Sequence, residues 1–251
     1  MTFEHCNFLG DLELEKKETP GCRLYHLPDG QWVPSITSVT SFYNRDIFVK
    51  WRKRVGEEEA NRISKFSANR GTVMHQLCEY YILSEKKDSK EKLKDALEKI
   101  VPFVEEEGFT EEEYKVGRGL FFNFYTAGLF NRIVDVISVE EMLFSHQMGG
   151  YAGRVDNIYR NLEGRPVILD FKSAKKPKKE EWIDDYKKQI AAYFIAYWEM
   201  YNERPVCGEI WMSNEYEGFP QVFEITYDDV KKYGKVFLEN VKAFHEKVKL
   251  V

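Results

Sequence analysis

The residues best suited to chemistry are two aspartates and a lysine in the second half of the chain. Asp156 ends a Gly-Arg-Val-Asp segment, and an Asp-Phe-Lys segment containing Asp170 and Lys172 begins fourteen residues later. Both aspartates lie in strand-like runs, and carboxylates at neighbouring strand ends would form an oxygen site suited to Mg²⁺ or Mn²⁺. Lys172 should share a strand face with Asp170, because side chains alternate with a period of two.

This arrangement meets the needs of phosphodiester hydrolysis. The reaction requires a cation that polarises the phosphate and lowers the pKa of a water, together with a second positive group near the developing charge. Lys172 is the candidate for the second group. The alternative is an Asp-x-Lys tripeptide that only places charge on an edge strand, so the choice depends on the motifs around it.

One of these motifs lies in the helix that follows. Gln189 and Tyr193 are four residues apart, so they share a helix face. Their side chains could bind a phosphate or a base edge, which predicts a DNA-binding role. The alternative is an amphipathic helix whose tyrosines lie half in the core.

A second motif lies upstream and contains Arg70, Thr72 and His75. Thr72 is expected to cap a helix that carries His75 in its first turn. The imidazole could bind a metal through a neutral nitrogen, and Arg70 could hold a DNA phosphate. The alternative for His75 is a packing role.

The elements that would position these residues change type near residue 133. Before it, a Pro-Asp-Gly turn at residues 28–30 predicts a hairpin, and apolar residues at helical spacing follow, interrupted at Gly71, Pro102 and Gly108. After it come strands at 133–145, 151–160 and 166–172, a helix at 180–201, strands at 206–213 and 221–225, and a last helix from Asp228.

The expected fold class is therefore α/β, with a central mixed sheet and an α-β-β-β-α-β order. A chain of 251 residues with 43% hydrophobic residues can bury one substantial core. We expect a single domain over residues 1–251. It would contain an N-terminal hairpin and helical part (1–132), a catalytic core (133–226) and a C-terminal helix (227–251).

Charge limits the possible partners. The net charge of -5 argues against a protein that coats nucleic acid by bulk electrostatics. Two local stretches are basic, however: residues 50–70 hold seven basic and three acidic residues, and residues 172–188 hold seven and four. A polyanion would bind where the local charge reverses, so we expect DNA to run between these stretches and over the Gln189 and Tyr193 face.

The remaining composition indicates a cytoplasmic protein, in a bacterial cell or a phage-infected host. The four cysteines form no CxxC pair, so no zinc site or disulfide framework is expected. The sequence carries no hydrophobic signal core, no transit leader and no apolar run of about 20 residues. It also lacks a GxxxxGK[ST] motif, so no ATP is expected.

Taken together, the motifs resemble the RecB-like branch of the PD-(D/E)XK nuclease superfamily. They occur in the order His75, Gly153-x-x-Asp156, Asp170-x-Lys172 and Gln189-x-x-x-Tyr193. More closely, the chain resembles phage-type exonucleases akin to the mitochondrial genome maintenance exonuclease. That likeness rests on Pro34-Ser35-Ile36-Thr37-Ser38-Val39, Trp51, Gly56-Glu57, Ala60, Arg70-Gly71-Thr72-x-x-His75 and Tyr151-Ala152-Gly153.

The resemblance implies a restriction-endonuclease-like core and a role for each motif. It makes Asp156 and Asp170 metal ligands, Lys172 the catalytic lysine and His75 a further ligand or site residue. It also makes Gln189 and Tyr193 part of a helix that lines the DNA path. An acidic residue on the preceding strand would fall on Glu140 or Glu141, with Glu140 preferred. The iron-sulfur relatives carry a downstream cysteine cluster, whereas only Cys207 lies beyond the Gln189 helix here. No iron-sulfur cluster is expected.

The function expected from these residues is Mg²⁺- or Mn²⁺-dependent DNA hydrolysis. The resemblance favours an exonuclease that prefers single-stranded DNA and works in replication, recombination or repair. Two alternatives remain: a non-catalytic DNA-binding or assembly module that retains the fold, and a restriction-type endonuclease. The intact set of Asp156, Asp170 and Lys172 favours an enzyme, and no dedicated base-reading element is evident.

Overall fold

The computed structural model describes residues 12–19, 22–42 and 45–248, so the ends of the expected domain lie outside it. No helix in these ranges is long and apolar enough to cross a membrane. The strands are β1 (Lys16–Thr19), β2 (Cys22–His26), β3 (Trp32–Pro34), β4 (Asp135–Ser145), β5 (Tyr151–Arg160), β6 (Pro166–Ala174), β7 (Cys207–Asn214) and β8 (Gln221–Ile225). The α-helices are α1 (Ile36–Phe42), α2 (Arg45–Val55), α3 (Glu57–Leu83), α4 (Ser89–Glu106), α5 (Glu111–Thr126), α6 (Asp184–Tyr201) and α7 (Tyr227–Lys247).

The main sheet has the strand order β4-β5-β6-β7-β8. Strands β4, β5 and β6 are antiparallel neighbours, β6 and β7 are parallel, and β8 returns antiparallel to β7. The parallel pair is joined by α6, since a parallel connection needs a crossover of a dozen residues or more. This mixed sheet with helices confirms the α/β, restriction-endonuclease-like fold expected from the sequence.

Strand β6 lies at the centre of the molecule and is buried on both sides. Ile168 packs with Ile190 of α6 and Phe237 of α7 in one cluster, whereas Leu169 packs with Leu77 of α3 in another. Consecutive strand residues point to opposite faces, so the apolar run before Asp170 forms the middle layer of a three-layer core.

A small N-terminal sheet, β1-β2-β3, packs against the main sheet. The turn between β2 and β3 follows the sequence prediction: Gly30 has φ +90°, and Asp29 Oδ1 accepts a hydrogen bond from the amide of Gln31 at 3.0 Å. Ser35 then bridges to Ala152 of β5. The small sheet is thereby attached to the strand that carries Asp156.

The helix around Arg70 differs from the prediction. Helix α3 runs through Gly71 over 27 residues, and Thr72 lies in its middle, where its hydroxyl donates to the carbonyl of Ala68 at 3.1 Å. The expected break at Gly71 and the expected Thr72 cap are therefore wrong. A Cβ at Gly71 would lie 3.4 Å from Ser173 Oγ, an ordinary contact distance, so α3 passes close to β6 at this position. Pro102 likewise lies inside α4.

Candidate active site

The sheet opens between β5 and β6 where the two aspartates lie. The register of this pair runs from Arg160 and Pro166 to Asn157 and Leu169. Beyond that point Asp156 Oδ2 accepts the backbone N–H of Phe171 at 2.6 Å. A side-chain carboxylate thus replaces a backbone carbonyl as the acceptor, and the separating strands leave room for charged groups.

Asp170 and Lys172 share a face of β6, as predicted from the period of two. Asp170 is only 2% exposed, and its Oδ2 forms an ion pair with the Lys172 ammonium. The same ammonium lies 5.3 Å from the ring centroid of Tyr186. A buried carboxylate, a half-buried cation and an aromatic ring therefore meet at the end of the central strand.

Two further ligand candidates approach Asp156 from other elements. His75 of α3 places Nδ1 3.4 Å from Asp156 Oδ1. Glu140 lies on β4 between the register pairs Val139–Asn157 and Glu141–Val155, which sets it level with Asp156. One ligand atom from each of His75, Glu140 and Asp156 lies within 4.8 Å of the other two.

The backbone of Glu140 adopts a left-handed conformation, with φ +53°. A non-glycine residue there is strained, and such strain concentrates at functional sites. Its neighbour Glu141 points elsewhere: Oε1 accepts the Tyr201 hydroxyl at 2.9 Å, and Oε2 accepts the hydroxyl of Ser138. Glu140, and not Glu141, is thus the acidic residue of β4 that joins the cluster.

The electrostatics of the cluster favour a bound cation. Burial and the charge of Asp156 raise the pKa of Glu140 to about 7. Burial also raises the pKa of Asp170 to about 6, although Lys172 opposes the shift. Asp156 is buried too, but the charges of His75 and Lys172 outweigh burial and hold its pKa below the usual value.

Carboxylates with raised pKa values beside one another lack sufficient positive charge. A divalent cation would supply it, and the available oxygen and imidazole ligands suit Mg²⁺ or Mn²⁺. The residues therefore fit a divalent metal. When bound there, such an ion would act as a Lewis acid toward a phosphate and lower the pKa of a water.

A comparison with known families decides the identity of this fold. The model of the PD-(D/E)XK nuclease superfamily matches residues 46–241, which include every strand of the main sheet. The chain belongs to the PD-(D/E)XK nuclease superfamily.

Solved structures add two distant neighbours of this nuclease. A protein from Eubacterium rectale with a provisional exonuclease name is 11% identical, with a TM-score of 0.46, and the match covers 71% of this chain and 68% of that one. A protein named SSO0001 is 15% identical, with a TM-score of 0.33 and coverages of 55% and 69%. No curated protein matches the chain.

Gln189 and Tyr193 lie behind Asp170 and Asp156 and not on a surface. Gln189 is 8% exposed, and its Nε2 donates to Asp170 Oδ1 at 3.1 Å. Tyr193 is 2% exposed, and its hydroxyl donates to the carbonyl of Arg154 at 2.7 Å. Their DNA-binding role stays a prediction, but these contacts favour a positioning role for α6.

Arg70 is also engaged within the nuclease fold. It is 4% exposed, and its guanidinium pairs with Glu215 at 2.6 Å and approaches the carbonyl of Ala174 at 3.5 Å. It joins α3 to the ends of β6 and β7. A phosphate contact by Arg70, which also stays a prediction, would require this ion pair to open.

Sequence reasoning gave Tyr186 no role in the nuclease site. Its ring nevertheless lies beside the Lys172 ammonium. Tyr186 lies three residues before Gln189, so the helix that positions Asp170 also brings this ring to the lysine. The face of α6 that Tyr186 shares with Gln189 was the sequence feature that could have indicated this position.

Proposed function

We propose that this PD-(D/E)XK nuclease is a Mg²⁺- or Mn²⁺-dependent deoxyribonuclease of the RecB-like branch. Its substrate would be single-stranded DNA, digested from an end, in replication, recombination or repair. We further propose that residues 1–251 form one nuclease domain. The exonuclease and RecB-like assignments are supported by the order of motifs from His75 to Tyr193 and by the phage-type segments around it.

One observation carries the catalytic part of this proposal. Ligand atoms of His75, Glu140 and Asp156 converge within 4.8 Å, beside the ion pair of Asp170 and Lys172. A module that only bound DNA would have no use for several partly or fully buried carboxylates close together, since they repel the phosphates that it must hold.

Each residue has a distinct role in the proposed reaction. Asp156 and Asp170 would hold the cation, with His75 and Glu140 as further ligands. The Lys172 ammonium lies where it can stabilise the negative charge that develops on the phosphate during attack by water. Hydrolysis forms a bond between the water oxygen and phosphorus and breaks one ester P–O bond, and the departing oxygen takes a proton.

A cleavage assay tests the proposal directly. Linear single-stranded DNA labelled at the 5′ or the 3′ end, circular single-stranded DNA, duplex DNA and RNA are each incubated with Mg²⁺, Mn²⁺ or EDTA. We expect cleavage of linear single strands with either cation and none with EDTA. The circular single strand should not be cleaved, because an exonuclease requires an end.

Asp228→Asn is a matched control, since Asp228 is an exposed aspartate on α7 paired with Lys231. It should cleave like the parent, whereas Asp156→Asn should not. Cleavage of the circle would indicate an endonuclease. No cleavage of any substrate by the parent, with DNA still bound, would indicate a non-catalytic module.

A further inference from the structure

Two loops extend the central strands beyond the candidate active site. Ala174 of β6 and Asn214 of β7 are register partners at the end of the parallel pair. The loop after Ala174 leads to α6, and the loop after Asn214 leads to β8. Lys172 precedes Ala174 by two residues, about 7 Å along a strand, so both loops begin next to the site.

Side chains and backbone hold these loops together. Gln221 bonds twice to Lys178: its Oε1 accepts the backbone N–H at 2.7 Å and its Nε2 donates to the carbonyl at 2.8 Å. Asn214 Oδ1 accepts the backbone N–H groups of Tyr216 and Glu217 at 3.1 and 2.7 Å. A surface fixed in advance loses less entropy when it binds a partner.

The fixed loops present aromatic rings to solvent. Trp182 is 58% exposed, Tyr216 is 73% exposed and Phe219 is 80% exposed. A single exposed apolar residue is ordinary, but three large rings on two adjoining loops indicate a binding surface.

Lysines lie between these rings. Four of them, Lys175, Lys176, Lys178 and Lys179, occur within five residues of the first loop. The ammonium of Lys176 lies 5.7 Å from the ring centroid of Tyr216, and that of Lys179 lies 5.3 Å from the Trp182 ring. Cations interleaved with exposed rings are typical of surfaces that hold single-stranded nucleic acid through its phosphates and bases.

We propose that Trp182, Tyr216 and Phe219 form a stacking platform for the unpaired bases of the strand that is being cut. The platform would select single-stranded substrate, because the bases of a duplex are stacked on one another and expose no free ring face. This inference rests on the proposed function and adds the residues that determine its strand preference. The neighbouring lysines would hold the backbone, in a protein whose overall charge of -5 repels DNA elsewhere.

Binding measurements with Ca²⁺ in place of the reactive cation test the platform. The probes are fluorescein-labelled oligo-dT of about 20 nucleotides, longer than one typical binding site, and an abasic strand of equal length and charge. Trp182→Ala and Tyr216→Ala should each weaken oligo-dT binding by about 5- to 100-fold. Binding of the abasic strand should not change, because it offers phosphates but no bases.

Two variants serve as controls. Trp182→Phe keeps a ring and should retain most of the affinity. Leu162→Ala removes a side chain that is 90% exposed in the turn between β5 and β6, at the opposite end of β6, and should bind like the parent. Oligo-dT should also change the tryptophan fluorescence of the parent more than that of Trp182→Phe, a readout that does not depend on an alanine variant.

Parent-like binding by both alanine variants would overturn the platform. Equal losses for oligo-dT and the abasic strand would do the same, because they would show a general effect of charge or folding. The cleavage assay on the parent is separate. A protein that binds through these rings but cuts nothing would retain the platform and lose the proposed function.

Discussion

Two buried carboxylates on adjacent strands of the sheet, Asp170 and Glu209, show how surroundings separate a reactive group from a structural one. Each is 2% exposed. Glu209 lies beside Leu169 in the parallel register, one position from Asp170, so the two side chains point to opposite faces of the sheet. Because the two carboxylates are equally buried on neighbouring strands, only their partners distinguish them.

Glu209 is surrounded by donors. Its Oε1 accepts from Arg132 at 2.6 Å, and its Oε2 accepts the Tyr159 hydroxyl at 2.9 Å and the Trp211 indole N–H at 2.7 Å. Asp170 accepts from Gln189 and pairs with Lys172, but burial and the charge of Asp156 raise its pKa, and Lys172 offsets them only in part. The first carboxylate is satisfied within the fold, whereas the second belongs to a cluster that favours an external cation.

The largest expected effect is on cleavage by Asp170→Asn. This variant should lose about 10³-fold or more in turnover, because the cation site loses a charged ligand. Its melting temperature in EDTA should change little, because the repulsion removed between Asp170 and Asp156 offsets the ion pair lost with Lys172. Scanning calorimetry with and without Mn²⁺ checks the cause: metal at 100 times its Kd stabilises the parent by about 2.7 kcal/mol, and the variant should gain less. Turnover near the parent rate would remove Asp170 from the site.

Glu209→Ala should lower the stability of the protein and leave its turnover unchanged. The variant should lose about 3 kcal/mol of unfolding free energy, at the low end for a broken buried ion pair because Arg132 is 44% exposed. The melting temperature would fall by about 6 to 12 °C, while turnover of the folded protein stays normal. Glu246→Ala, which removes an exposed glutamate on α7, is the control. Loss of activity without loss of stability would show that Glu209 takes part in the reaction and is not only structural.

The surroundings of Asp170 could be predicted in part from the sequence, whereas those of Glu209 could not. The apolar run before Asp170 indicated a buried strand, and the period of two placed Lys172 on the same face. The partners of Glu209 come from three separate segments, so no local pattern could indicate them. For the same reason Arg70 was expected to hold a phosphate, since its partner Glu215 lies 145 residues away in sequence.

The predictions for Glu140 and Gly71 depended on backbone geometry and packing that the sequence does not reveal. The preference for Glu140 over Glu141 depended on the resemblance, whereas in the structure the left-handed φ of Glu140 directs its carboxylate to Asp156. Gly71 was expected to end a helix because glycine disfavours helices. Its helix continues because Met74 and Leu77 beyond it pack in one buried cluster with Leu169 of β6, and tertiary contacts of this kind override local propensity.

His75→Ala should lower turnover less than Asp170→Asn does. An uncharged ligand contributes less to a cation site than a carboxylate, and we expect a loss of about 10- to 100-fold in turnover. Imidazole suits Mn²⁺ better than Mg²⁺, so the ratio of the Mn²⁺ rate to the Mg²⁺ rate should fall. Steady-state rates with each cation measure that ratio. An unchanged ratio at normal rates would give His75 a packing role.

Gln189→Ala tests whether α6 positions Asp170 or contacts DNA. Loss of the hydrogen bond to Asp170 Oδ1 should lower turnover by about tenfold, as for other residues that orient metal ligands. The affinity for single-stranded DNA with Ca²⁺ should stay at the parent value, because Gln189 is buried. A matching loss of affinity would support the DNA contact that the sequence predicts and exclude a positioning role alone.

The smallest effect is expected from Tyr193→Phe, which removes one hydroxyl and keeps the buried ring. The hydroxyl donates to the carbonyl of Arg154, two residues before Asp156, so its loss should cost about 1 kcal/mol and lower the melting temperature by about 2 to 4 °C. Affinity for single-stranded DNA should not change, because a ring that is 2% exposed cannot stack on a base. Anisotropy titrations of Tyr193→Phe and Trp182→Phe side by side check this. A weaker Kd for the Tyr193 variant alone would place the DNA path over α6 and not over the two exposed loops.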